Sequence, residues 1–100
     1  MDEKFIHEQL QLNFEVLADR YTAEANLLEE LTMKIVWLLK NDLPALWNAL
    51  YRIDVNEEKV KAVFGQNDPH LIAPGVAALV VNRLREKAHT RAQYVQKKQA

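Results

Sequence analysis

One hundred residues, 49% apolar and 27% charged, without cysteine, describe a single globular domain and exclude both a disulfide framework and a thiolate metal site. The net charge of −1 hides a dipole: residues 1–31 carry eight acids against Lys4 and Arg20, whereas residues 82–100 carry six bases against Glu86. Such a chain either lays one end against the other or binds nucleic acid with its basic tail, and the first use is the more ordinary.

From residue 3 to Asn41 nothing breaks a helix. A three-four spacing runs through Leu10, Phe14, Leu17, Tyr21, Glu24, Leu28, Leu31, Ile35 and Leu38, placing these positions on one stripe. The unbroken register favours one helix over about 3–40, ~57 Å long. The rival is a hairpin broken near Arg20-Tyr21-Thr22, with Thr22 capping its second arm. Leu27, Leu28, Leu31, Ile35, Leu38 and Leu39 form a core face, yet Met33, Val36 and Trp37 fall on the opposite side among Glu29, Glu30 and Lys40. A helix apolar on both sides is normally covered on both sides.

Asn41-Asp42-Leu43-Pro44 spells a restart, with Asp42 as cap and Pro44 in the first turn. Leu43, Leu46, Trp47 and Leu50 follow on one face, flanked by Tyr51 and Ile53. Asp54-Val55-Asn56-Glu57 fits a capping box, in which Asp54 caps and Glu57 reaches back; Asn56 is the alternative cap. The short helix it opens carries Val60, Val63 and Phe64, and Gly65 is placed to end it in a left-handed conformation. Asp68-Pro69 again reads as cap and first turn. Pro74 predicts a break, because it removes a hydrogen bond and crowds the carbonyl of His70. The expectation is one turn at 69–73, then a helix over about 74–97 with Ala77, Val80, Val81, Leu84, Ala88 and Val95 inward and residues 98–100 frayed. No segment alternates at period two, so the fold class is all-α: a single-domain bundle of four or five helices with long first and last helices. Residues 1–25 are the segment expected to protrude or dimerise.

Sites for chemistry are scarce. Glu86 and His89 have the Glu-x-x-His spacing of carboxylate-bridged di-metal bundles, but that centre needs a second such pair and two more glutamates. Neither His7 nor His70 has a glutamate three residues before it, so no metal or cofactor is expected. With no serine and no cysteine, hydrolase-type nucleophiles are missing, and two glycines build no phosphate loop. Tyr51, Arg52 and Asp54 stand close enough for acid–base work, yet a helix corner already uses them as wedge, C-terminal cation and cap. Arg83, Lys87 and Arg91 repeat every fourth residue and, with Arg85, make a ridge that could meet phosphates; self-pairing within the chain is the preferred reading. The acidic start has no signal-peptide pattern, and the longest apolar run, residues 71–81, is too short for a membrane span. A cytoplasmic protein without membrane contact is expected.

L-Y-R-I-D-V-N-E-E-K-V (50–60), then Ile72-Ala73 and the string Arg83, Lys87, Thr90, Arg91, resemble a group of short uncharacterised bacterial all-helical proteins with an L-Y-R-I-D-V corner and a basic C-terminal helix. The resemblance covers roughly residues 26–94; it implies a helical fold and no activity. Pro74-Gly75 departs from it, since the group implies continuous helix there.

The functional expectation is a non-enzymatic interaction protein that self-associates as a dimer, or docks another protein, through Met33, Val36, Trp37, Leu10, Phe14 and Leu17. The alternative is a nucleic-acid-associated protein using Arg83, Arg85, Lys87 and Arg91.

Overall fold

The structure is a computed structural model and describes residues 3–17 and 24–99. Five helices make up the described residues, with no strand among them: α1 Glu3–Phe14, α2 Glu24–Asn41, α3 Leu43–Ile53, α4 Glu57–Phe64 and α5 Pro69–Gln99. The fold is thus an all-α bundle with a long C-terminal helix. At 1.5 Å per residue α5 spans about 46 Å, which accounts for the 49 Å longest dimension of the molecule. It is the spine, and its widest contact is with α2.

The single long helix over residues 3–40 does not form. Glu15 turns left-handed, with φ of 58°, and α1 ends before it. Its N–H donates to the Gln11 carbonyl at 2.9 Å and that of Val16 to Leu10 at 3.3 Å. The break therefore precedes the hairpin point at residues 20–22, and the proposed Thr22 cap lies outside the described residues. What drives the turn is burial: Leu10, Phe14 and Val16 all enter the core, and a straight helix would carry Val16 away from it. α1 packs on α2, α3 and α5, so it is no protruding arm.

Core residues come from all five helices. Leu31, Ile35, Leu46, Val76, Ala77, Val80 and Leu84 are fully buried, and Leu27, Leu38, Leu50, Ile53, Val60 and Ala88 nearly so. Trp47 stacks tilted on Phe64, ring centroids 5.3 Å apart, which joins α3 to α4. The side chain of Val95 lies outside the described residues. Tyr51, expected as a half-buried wedge, is 87% exposed because its helix turns Leu46, Leu50 and Ile53 inward instead.

The caps sort themselves by backbone geometry. Asp42 caps α3, its carboxylate accepting from the Ala45 N–H at 3.2 Å. Asp68 caps α5, accepting from the His70 N–H at 2.9 Å. Asp54 does not cap α4. It ends α3 in the left-handed region (φ 63°, ψ 48°), donating its N–H to Tyr51, while Val55 donates back to Leu50. These are the two crossed bonds of a Schellman stop, which aspartate tolerates better than most residues. Asn56 is the cap of α4, accepting from the Lys59 N–H at 3.1 Å. Asn56→Ala should therefore cost about 1 kcal/mol, whereas Asp54→Gly, which removes left-handed strain but also a partner of Arg83, should stay within about 1 kcal/mol of the parent. Thermal melts of the two variants read this order directly.

Two further expectations are corrected. Gly65 is right-handed (φ −61°), and the left-handed residue after α4 is Asn67 (φ 63°). Pro74 sits inside α5 without ending it. Both it and His70 are exposed, so the hydrogen bond that proline cannot donate is lost on the solvent side of the helix.

Candidate functional site

The Tyr51-Arg52-Asp54 corner does not assemble as a catalytic group, since its members go three ways. Tyr51 points to solvent. Arg52 Nε donates to Asn13 Oδ1 at 2.9 Å, tying the end of α3 to the end of α1. Asp54 receives Arg83: Nε donates to the Asp54 carbonyl at 3.0 Å and Nη2 approaches its carboxylate at 3.3 Å.

The same contacts consume the head of the basic ridge. The remaining Nη1 of Arg83 meets Glu86 at 3.2 Å, so its guanidinium is taken on three sides. Arg91 reaches α1, its guanidinium 4.4 Å over the Phe5 ring. Lys87 is half-buried and Arg85 exposed. Beside Arg83, between the α3–α4 corner and α5, lies an open groove of about 560 Å³ walled by Val55, Asn56, Lys59, Leu79, Asn82 and Glu86. Lys59 and Arg83 bring positive charge to its walls and Glu86 negative, and Arg83 is already paired with Asp54 and Glu86. Glu86 and His89 are exposed, and among the described residues no three His, Cys, Asp or Glu side chains gather as metal ligands would. Nor is any helix of the described residues long and apolar enough to cross a membrane.

The expected interaction face divides. Leu10 and Phe14 belong to the chain's own core, and presenting them to a partner would require opening it. Val36 is half-buried against that core. Leu17, Met33 and Trp37 remain outside, 70%, 65% and 52% exposed. They line a second open groove of about 560 Å³ together with Glu15, Val16, Glu30 and Lys34. α2 builds this surface because its inward stripe of Leu27, Leu31, Ile35 and Leu38 leaves Met33 and Trp37 on the opposite side. The turn at Glu15 brings Leu17 alongside. Lys34 straps the edge, its ammonium 3.8 Å from the Glu15 carboxylate and 5.0 Å from the centre of the Trp37 ring. Both contacts are solvent-facing, so each is worth at most about 1 kcal/mol. Such a surface can bury apolar area.

Lys34 and Val16 are the members that periodicity alone passes over. Lys34 stands three residues before Trp37, a spacing at which side chains meet on a helix, and that was the available sign. Comparison with known proteins finds no matching family model, no matching curated protein and no matching solved structure.

Proposed function

We propose that the chain is a non-enzymatic helical interaction module that self-associates through the outward face of α2. The observation carrying this reading is the cluster of Leu17, Met33 and Trp37, three large apolar side chains that are each more than half exposed and share one groove. Scattered apolar residues on a surface are ordinary, but a contiguous apolar patch with a charged rim is the usual mark of a docking site. An unduly long first helix no longer supports the reading, because α1 and α2 are separate and packed. The apolar back of α2 now carries it alone.

Symmetric pairing is the simplest closure for one such patch per chain. A cytoplasmic location agrees with the lack of cysteine, and the L-Y-R-I-D-V corner agrees with a bacterial helical group. Nucleic-acid contact through Arg83, Arg85, Lys87 and Arg91 is less well supported, since Arg83 is spent on Asp54 and Glu86. Trp37→Ala tests the preferred reading. It should weaken dimerisation about tenfold or more, as a central aromatic does, while changing the melting of dilute monomer little. Undiminished association of the variant would locate the contact elsewhere.

A further inference from the structure

We propose that the partner on this face is a second copy docked antiparallel on α2, about a two-fold axis level with Ile35. The inference rests on the self-association reading above and adds a register to it. With Leu31, Ile35 and Leu38 turned inward, a rotation of 100° per residue leaves Glu29, Glu30, Met33, Val36, Trp37 and Lys40 on the outward side. Along the axis these run in a fixed order: acids first, apolar residues in the middle, lysine last.

That order is its own complement only when reversed. In an antiparallel isologous contact centred at position 35, Met33 lies against the partner's Trp37 and Glu30 against the partner's Lys40. A parallel pairing in register would set Glu30 on the partner's Glu30 and Lys40 on the partner's Lys40. Like charges face to face act against a contact, as opposite charges steer and register one. The charges are available for the purpose: among the described residues neither Glu29 nor Glu30 has an ion-pair partner. Lys40 has no carboxylate partner among the described residues, and its ammonium, 3.3 Å from His70 Nε2 on α5, has to leave that contact to meet the partner's Glu30. Lys34, by contrast, is already held by Glu15 and Trp37 and stays at the edge of the contact.

The contact is small. Three half-exposed apolar side chains amount to a few hundred Å², below the roughly 800 Å² per partner of a standard interface. A micromolar dissociation constant is the matching expectation.

Sedimentation velocity on the full chain at low salt tests the register. Glu30→Lys places two lysines opposite each other twice over, and Lys40→Glu does the same with two glutamates. Each variant alone should associate about tenfold more weakly than the parent. An equal mixture of the two should recover association to within about threefold, because both cross-contacts again join opposite charges. Unchanged circular dichroism keeps misfolding out of the comparison, both positions being exposed. If the mixture fails to recover, or neither single variant weakens, while Trp37→Ala still dissociates the parent, this register is overturned and the self-association reading stands. A parent monomeric at every concentration overturns both.

Discussion

Phe14→Ala is expected to lower the unfolding free energy by about 3–5 kcal/mol. Phe14 is 1% exposed and among the largest fully buried side chains, at the end of α1 where the chain turns. α1 meets α2, α3 and α5, so the cavity left by the ring has rigid walls on several sides and little means of collapse. A domain of this size holds about 5–15 kcal/mol in total, and the variant should sit near the edge of folding. Urea titrations at two protein concentrations make the reading specific. A core role predicts the same loss at both, because the contacts are within one chain. Were residues 1–25 a dimerising arm, the loss would be small in dilute solution and grow with concentration.

Gly75→Ala should destabilise by about 1–3 kcal/mol, although alanine is the better helix former by up to about 1 kcal/mol. Gly75 lies where α4 crosses α5, and a Cβ there would come 2.7 Å from one Val63 methyl and 3.2 Å from the other. Val63 is β-branched and strongly prefers one χ1 rotamer in a helix, so relief requires either a disfavoured rotamer or a shift of α4. Val63→Ala added to Gly75→Ala should therefore recover much of the loss, and a double-mutant cycle from thermal or urea unfolding would show strong coupling. A Gly75→Ala chain more stable than the parent would mean that the two helices stand further apart than the geometry here requires.

Gly75 also illustrates what the sequence conceals. Beside Pro74 it resembles a helix breaker; in the fold it is the close-approach point of two helices, a property of the crossing and not of the segment. The break at Glu15 was hidden for a related reason. Its left-handed turn uses no glycine, asparagine or proline, and the stripe from Leu10 to Leu38 runs across the gap as if one helix continued. Leu17 keeps the spacing while pointing to solvent, and Val16, off the stripe, is the residue buried. By contrast, Asp42 with Pro44 and Asp68 with Pro69 were legible as helix starts, because capping depends on residues within one turn of each other. At the corner after Ile53 both Asp54 and Asn56 were eligible caps, and only the left-handed backbone of Asp54 decides between them.

For the proposed interaction surface, the face of α2 carrying Met33 and Trp37 follows from periodicity alone. Which stripe residues stay exposed does not, since Leu10, Phe14 and Leu17 share one spacing and part company only when α1 docks on α5.

Sedimentation equilibrium on the unmodified chain tests self-association most directly. Between about 1 and 300 μM, a range bracketing the affinity expected of a contact this small, the weight-average mass should climb from 11.6 kDa towards twice that value. A mass fixed at the monomer value throughout would contradict the account.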